Sequence, residues 1–378
     1  MELPHAYRIA ARASSVLLLA LSPAALPAND FNQINLTSNI PGLAANTDPN
    51  LINPWGVAFS PTSPFWISDQ GSGRSTLYNG AGTPLSLVVA IPGGTPPVTG
   101  PTGQVFNSTP GFLVGTTPSH FIFDTLGGTI DAWASGTTAS VAATVPGAVF
   151  TGLTLASAPA SGGGTSNYLY AADATGQIRV FDSSFHQVSL PGAFVDPSPV
   201  SGYAPFNVQL VGSNLYVTYA KLTPMGTGLP GGYIDVFDTS GNFVRRFSSS
   251  GALYAPWGIT LAPLTFGTYG GDLLVGNFGN GEINAFDPNT GSLIGTINGP
   301  DGKPIVNDYL WALEFRTGGA GVDPNALYFT AGIDNQLGGL FGEIAPTPEP
   351  SSLILGALGI ASLAASRVRR LRTRRDNN

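Results

Sequence analysis

The sequence predicts an all-β fold, a six-bladed β-propeller with four-stranded blades. Three observations support this fold class. Gly and Pro account for 50 and 32 of the 378 residues, which indicates many turns. Short β-rich runs recur about every fifty residues, and the turns between them leave almost no room for helices.

The repeat is clearest in a run that begins with Ile and has an aromatic residue three positions later. Four such runs start 48, 56 and 49 residues apart: Ile130–Trp133, Ile178–Phe181, Ile234–Phe237 and Ile283–Phe286. Turns with Asp and Gly follow, as in Asp238–Gly241, and these residue types favour hairpin connections. We interpret each run as the third strand of a blade.

Two further β-rich runs precede this position, and both occur six times. The earlier runs are Trp55–Phe59, Gly103–Phe106, Thr151–Leu155, Phe206–Leu210, Trp257–Leu261 and Trp311–Phe315. The later runs are Phe65–Ser68, His120–Phe123, Tyr168–Ala171, Leu215–Thr218, Leu273–Gly276 and Leu327–Thr330. From Trp55 to Trp311 there are 256 residues over five intervals, close to 51 per copy, which predicts six blades.

The sixth copy lacks an outermost strand, because Gly339–Ile344 runs directly into a Pro-rich segment. An unpaired β-rich run, Phe31–Leu36, precedes the first copy. We expect this N-terminal strand to complete the last blade, which would close the ring and remove exposed sheet edges.

The N-terminus has the pattern of a secretory signal peptide, which we assign to residues 1–28. Arg8 and Arg12 precede the apolar run Val16–Leu21, and small residues follow from Ala24 to Ala28. The alternative is a membrane anchor, but the apolar run is much shorter than the ~20 residues that span a bilayer. The signal predicts use of the Sec translocon and signal peptidase.

The C-terminal segment, residues 346–378, combines Pro348-Glu349-Pro350, an apolar stretch over about 351–366 and a basic tail over 367–375. This order resembles the PEP-CTERM sorting signal of Gram-negative bacteria. The resemblance implies recognition of Pro348, Glu349 and Pro350 by an exosortase, with a single transmembrane helix and arginines on the cytoplasmic side. A plain C-terminal membrane anchor is the alternative.

Between these ends lies the predicted propeller domain, residues 29–345. From Ile34 to Ile344 it resembles a family of exported, mostly uncharacterised propellers related to the NHL and YncE-like groups. The resemblance is carried by Asn53–Gly56, Ala255–Ile259, Gly271–Gly279 and Leu327–Asp334. It implies the propeller fold and brings little function with it, because a shared fold does not define a site.

The charge distribution and the amino-acid types exclude several classes of function. From Ala28 to Pro350 the chain has 7 basic and 20 acidic residues, a net charge of −13, which argues against nucleic-acid binding. The absence of cysteine excludes thiolate metal sites and disulfides. The spacing of His120 and His186 matches no catalytic metal motif, and no nucleophile elbow with a partner histidine can be assembled.

Polar residues in two sets of loops are expected to meet on one face of the ring, because strands alternate in direction. These candidate rim residues are Asn53, Asp69, Asp124, Asp173, Asn207, Asn277, Asn280, Asp308 and Asp334. Such oxygens suit Ca²⁺ or sugar hydroxyls, whereas each residue taken singly is also an ordinary turn former. Glu314 falls in a predicted strand rather than in these loops. Trp55, Trp257 and Trp311 begin equivalent strands and are expected to fill the centre as core, the alternative being a sugar-stacking ring.

These features predict an exported surface or extracellular-matrix protein, transiently anchored in the inner membrane and without a required cofactor. The first hypothesis is a non-enzymatic module that binds an exopolysaccharide or a surface protein. The alternative is a Ca²⁺-dependent lactonase or hydrolase that uses the channel mouth, which needs one carboxylate and two or three further oxygens around a common point. A third possibility is a structural spacer.

Overall fold

A computed structural model describes residues 30–160, 162–223, 228–249 and 251–347. Within these ranges all regular structure is β-strand apart from one 3-10 turn at Gly267–Tyr269. None of the helices in them is long and apolar enough to span a bilayer. The signal peptide, the sorting motif and the transmembrane helix predicted from the sequence lie outside the described residues.

The strands are arranged in six blades. Two strands precede the first blade, β1 (Phe31–Ser38) and β2 (Asn46–Thr47). Blade 1 contains β3 (Pro54–Ala58), β4 (Phe65–Asp69), β5 (Arg74–Tyr78) and β6 (Pro84–Ala90). Blade 2 contains β7 (Pro101–Phe106), a small hairpin of β8 (Leu113–Val114) and β9 (Thr117–Pro118), and then β10 (Phe121–Thr125), β11 (Thr129–Trp133) and β12 (Ser140–Thr144). Blade 3 contains β13 (Phe150–Pro159), β14 (Thr165–Asp173), β15 (Gln177–Phe181) and β16 (Gln187–Val188).

The second half of the ring repeats the same pattern. Blade 4 contains β17 (Ala204–Val211), β18 (Asn214–Ala220), β19 (Tyr233–Asp238) and β20 (Phe243–Ser248). Blade 5 contains β21 (Pro256–Leu261), β22 (Leu273–Asn277), β23 (Ile283–Phe286) and β24 (Leu293–Thr296). The chain then forms β25 (Leu310–Phe315), β26 (Leu327–Ala331) and β27 (Leu340–Pro346).

Blades 1 to 5 are antiparallel sheets in which successive long strands are neighbours from the centre outwards, and β25, β26 and β27 form the inner part of blade 6 in the same way. The inner strands β3, β7, β13, β17, β21 and β25 contact one another in sequence, and β25 returns to β3. The four Ile-to-aromatic runs lie on β11, β15, β19 and β23, the third strands of their blades. The prediction of six four-stranded blades is therefore confirmed.

The N-terminal strand completes blade 6, as its sequence predicted. β1 pairs antiparallel with β27 from Phe31 opposite Pro346 to Ser38 opposite Leu340, and β2 adds two residues parallel to β1. β27 ends one residue beyond the predicted propeller limit at residue 345, and the Thr347 amide then donates to the Asp30 carbonyl at 2.9 Å. The first and last described segments of the chain thus hold the ring closed together.

Small residues at equivalent positions of five inner strands let the blades meet at the centre. These residues are Gly56, Gly103, Gly152, Gly258 and Ala312, and blade 4 has Asn207 at this position. A Cβ atom added to Gly103 would lie 2.3 Å from the Leu153 backbone nitrogen of blade 3. A Cβ on Gly258 would lie 2.4 Å from the Trp311 carbonyl oxygen of blade 6. Because backbone atoms cannot yield as a flexible side chain can, glycine is required at both contacts.

Candidate functional site

The loops that enter the inner strands and the loops that join second to third strands share one face of the ring, which we name the upper face. The two sets are tied by backbone hydrogen bonds within a blade, such as Gln70 N to Asn53 O at 3.1 Å and Ala174 N to Val149 O at 2.9 Å. The predicted convergence of these loops on one face is thus present. The opposite face, reached at the ends of the inner strands, is the lower face.

Three tryptophans meet at the centre of the channel. Trp55 and Trp311 stack with ring centroids 3.4 Å apart, and Trp257 meets them edge-on at 6.3 and 5.7 Å. Their exposed fractions are only 5%, 1% and 5%, in the order Trp55, Trp311, Trp257. Core packing, the role expected of these residues, is confirmed. We call the three rings the tryptophan plug.

Two of the three indole N–H groups in the plug donate hydrogen bonds to other blades. Trp257 Nε1 donates to the Thr151 carbonyl at 2.8 Å, which links blade 5 to blade 3. Trp311 Nε1 donates to Asn53 Oδ1 at 3.1 Å, while Trp55 Nε1 is buried and has no partner in the described part of the chain. Hydrogen bonds therefore hold the indole groups of Trp257 and Trp311, whereas the indole N–H of Trp55 is held by packing alone.

Above the plug lies a cavity of about 590 Å³, which we name the mouth pocket. Its floor is formed by Trp55, Trp311 and Phe206, and its walls are mainly aliphatic. At its rim, Val98 and Leu337 are 71% and 72% exposed. No charged side chain lies among its described lining residues. Exposed apolar rim residues beside a concave apolar surface are typical of a binding site.

A small cluster of amides provides the polar groups of the mouth pocket. Asn53 Nδ2 donates to Gln70 Oε1 at 2.9 Å and to Gln336 Oε1 at 3.3 Å. Gln70 Nε2 in turn donates to the Pro97 carbonyl at 2.8 Å. Asp334, Asn335 and Gln336 form a run of non-glycine residues in the left-handed region, with φ of 54°, 54° and 67°. Such strained backbone is uncommon and often lies at functional sites, so this segment reinforces the assignment of the pocket.

Several predicted rim residues are buried in their own blades. Asp173 Oδ1 accepts from the Val149 and Thr175 amides at 3.1 and 2.9 Å, and its Oδ2 pairs with Arg179 Nε at 2.9 Å. Asn277 Oδ1 similarly accepts from the Tyr254 amide at 3.1 Å, and Asn207 Nδ2 donates to the Trp257 carbonyl at 2.9 Å. The side chains of Asp173 and Asn277 anchor loops, which is the structural role that these residues suggested when taken singly. Asn207 instead links blade 4 to blade 5.

Asp69 and Asp124 are fully buried, and each has one unpartnered carboxylate oxygen. Asp69 Oδ2 accepts from Thr76 Oγ1 at 2.7 Å, and Asp124 Oδ1 accepts from Thr102 Oγ1 at 2.7 Å. Burial raises the pKa of Asp124 to about 7 and holds that of Asp69 well above its ordinary value, since desolvation disfavours the charged form. Both carboxyl groups belong to the interior of their blades rather than to the mouth pocket.

The remaining rim residues are more accessible. Asp308 and Asp334 are exposed, and half-buried Asn280 donates through Nδ2 to Glu282 Oε2 at 2.9 Å. Of the nine rim residues, only Asn53 lines the mouth pocket. Among the described residues no three His, Cys, Asp or Glu side chains converge to hold a metal ion.

The sequence interpretation missed the polar side chains that lie inside the channel. Gln70 and Gln336 line the mouth pocket, and below the plug Gln104, Gln209 and Glu314 line the lower channel. Glu314 does lie in a strand, β25, but it faces the lumen. The signal was available in the inner strands. The residues two positions after Gly56, Gly103, Gly152, Asn207, Gly258 and Ala312 are Ala58, Val105, Thr154, Gln209, Thr260 and Glu314, so this position becomes polar in later copies.

The fold and channel define a six-bladed β-propeller, closed by its N-terminal strand, with a plugged channel and a pocket on its upper face. The chain is 35% identical over 330 residues to the uncharacterized protein R648 of Acanthamoeba polyphaga mimivirus, covering 82% of this chain and 78% of that protein. It is 33% identical over 331 residues to protein L690 of the same virus, covering 82% and 84%. The chain belongs to the family of propeller proteins that includes these two. No model of a known protein family matches it.

Two solved structures align with most of the chain at low sequence identity. Virginiamycin B lyase from Staphylococcus aureus has a TM-score of 0.45 and 14% identity, covering 84% of this chain and 99% of the lyase. The soluble aldose sugar dehydrogenase from Escherichia coli has a TM-score of 0.49 and 14% identity, covering 84% and 100%. The blade count therefore rests on the sheet topology of the chain itself.

Proposed function

We propose that this protein is a non-enzymatic binding module whose mouth pocket accepts an apolar side chain of a protein partner. The observation that supports the proposal is the pocket itself, about 590 Å³ in volume, with aliphatic walls and exposed Val98 and Leu337 at its rim. Burying one aliphatic or aromatic side chain there would contribute about 1.5–3 kcal/mol. Asn53 and Gln70 are buried and hydrogen-bonded to each other, whereas the Nε2 of half-buried Gln336 has no partner among the described residues and is placed to donate to the partner's backbone.

A protein partner fits the pocket better than a polysaccharide does. Sugar rings bind by stacking on open aromatic faces, but Trp55 and Trp311 stack on each other and are 5% and 1% exposed. The walls that remain accessible are aliphatic and favour an apolar side chain. The calcium-dependent lactonase has less support, because Asp69 and Asp124 are fully buried and no three His, Cys, Asp or Glu side chains converge among the described residues.

A charge at the rim of the mouth pocket should weaken partner binding. In the full-length protein, Val98→Asp and Leu337→Asp should each weaken binding of peptides selected from a displayed random library by roughly 10- to 100-fold. The matched control is Leu264→Asp, because Leu264 is 87% exposed on a lower-face loop. Equal affinity in rim and control variants would disprove the proposal. Glycan-array binding that is lost only in the rim variants would replace the protein partner with a polysaccharide.

We also propose that the chain is exported and sorted by an exosortase through Pro348, Glu349 and Pro350. The support is the order of the triplet, apolar stretch and basic tail in the sequence. Replacing all three residues with Ala should leave the protein uncleaved in the inner membrane of a Gram-negative host that has an exosortase. Identical processing of both forms, seen by fractionation and immunoblotting, would contradict this sorting route.

A further inference from the structure

The lower half of the channel forms a second site, separate from the mouth pocket. Beneath the tryptophan plug lies a narrow cavity of about 50 Å³, followed by an open funnel of about 310 Å³ at the lower face. Both are lined by Gln104, Thr154, Gln209 and Glu314, which come from blades 2, 3, 4 and 6. The narrow part has room for on the order of three water molecules or one small polar group.

Glu314 is the only ionisable side chain among the described residues that line these two cavities. Its carboxylate has no hydrogen bond or ion pair with any described residue, and it is partly exposed to the lumen. Burial inside the ring raises the pKa of Glu314 to about 8, since nothing nearby compensates the charge. An isolated carboxylate in such a place gains most from a ligand that carries a positive charge.

The neighbouring polar groups can each act as a hydrogen-bond acceptor. The side chain of Gln209 has no partner among the described residues, and Thr154 Oγ1 accepts only the Leu210 amide, at 3.3 Å. Gln104 is different, because its Nε2 donates to the Gly56 carbonyl at 2.9 Å and to the Trp66 carbonyl. Gln209 and Thr154 therefore offer free lone pairs beside Glu314.

The funnel has apolar residues in its lining beside the polar ones. Phe59, Phe106, Leu155 and Leu210 surround the open end, whereas the carboxylate lies deeper. An alkyl stem would contact these side chains while a charged head group reached the narrow part. A divalent metal fits poorly, because Ca²⁺ takes six to eight oxygen ligands, usually with several carboxylates. A planar guanidinium gains most from two-point pairing and is bulkier than a compact ammonium.

We propose that the lower channel binds a primary ammonium group on a short alkyl stem, as in a lysine side chain, with Glu314 as counter-ion and Gln209 and Thr154 as acceptors. Binding displaces the proton that Glu314 holds near neutral pH. Uptake of the ligand at pH 7 therefore releases about one proton, and above the raised pKa the release disappears.

Calorimetric titration of the full-length protein with n-butylammonium tests the proposal, with n-butanol as the neutral isostere. We expect butylammonium to bind and butanol to bind at least tenfold more weakly. Repeating the titration at pH 7 in two buffers of different ionisation enthalpy should reveal the released proton. Glu314→Gln should reduce the affinity at least tenfold, whereas Asp334→Asn, an exposed carboxylate at the upper face, should not.

Each remaining outcome overturns the proposal. Absence of butylammonium binding to the unmodified protein does so, and so does equal binding of butanol. Calcium binding that is lost in Glu314→Gln would make the site a metal site instead. If Glu314→Gln does not fold, the proton release of the unmodified protein decides, and its absence at pH 7 refutes the role of Glu314.

Discussion

Deletion of residues 31–38 is expected to leave no folded monomer. β1 supplies the outer strand of blade 6, and its loss would expose the whole edge of β27 over Leu340–Pro346. An exposed edge strand pairs with other chains, so the product should aggregate. The loss should exceed the about 5–15 kcal/mol that stabilises a typical folded protein, because β1 holds three blades together.

Side chains of β1 reach both neighbouring blades. Phe31 is fully buried against Phe266 of blade 5, with centroids 4.9 Å apart. Thr37 Oγ1 donates to the Gly82 carbonyl of blade 1 at 2.5 Å, and Ser38 Oγ donates to the Gly339 carbonyl at 2.7 Å. The strand thus connects blades 5, 6 and 1 at the seam of the ring.

Size-exclusion chromatography and circular dichroism of the deletion variant measure this effect. A synthetic peptide of residues 30–47 should restore soluble monomer when added during refolding, since it can add to the edge of β27. A scrambled peptide of the same composition is the control. A deletion variant that remains monomeric and melts cooperatively would show that the ring does not depend on β1.

Much of the fold could be predicted because the residue types that repeat, such as Ile and aromatic residues in strands and Asp and Gly in turns, have direct structural roles. The Ile-to-aromatic runs mark the buried third strands, and the unmatched run at Phe31 identified the closing strand. Trp55, Trp257 and Trp311 lie at equal positions in their copies, so their meeting at the centre followed from the ring. A sequence repeat identifies equivalent positions in the blades, and equivalent positions on the inner strands meet at the centre of the ring.

The candidate site was harder to predict, because sequence position does not show which side of a loop a carboxylate takes. In the sequence, Asp69, Asp124 and Asp173 come after the predicted strands and before turn residues, as exposed rim residues would. In the structure they turn inward, where Asp173 fastens the Val149 and Thr175 amides. Glu314 shows the opposite error, because a strand residue in the innermost position faces the channel rather than the core.

Within the tryptophan plug, Trp311 is expected to make the largest contribution of any single residue to stability. Trp311 is 1% exposed and contacts Trp55, Phe206 and Phe278 with ring centroids 3.4, 5.8 and 4.3 Å away. Trp311→Ala should reduce the free energy of unfolding by about 3–5 kcal/mol through lost burial and the cavity left behind. For a protein of this size the melting temperature should fall by roughly 6–15 °C, measured by differential scanning calorimetry.

Two control variants separate packing from hydrogen bonding in the plug. Trp311→Phe keeps an aromatic ring on Trp55 but removes the donor to Asn53 Oδ1, so its cost should be about 1–3 kcal/mol. Trp133→Ala should cost less than Trp311→Ala, because Trp133 is half-buried at the end of β11 and donates to an exposed carbonyl, that of Gly136. If Trp311→Ala and Trp133→Ala lower the melting temperature equally, the centre of the ring is no more important than its outer strands. A larger loss at Trp311 would mean that the aromatic packing at the centre of the ring contributes more to stability than the packing of an outer strand.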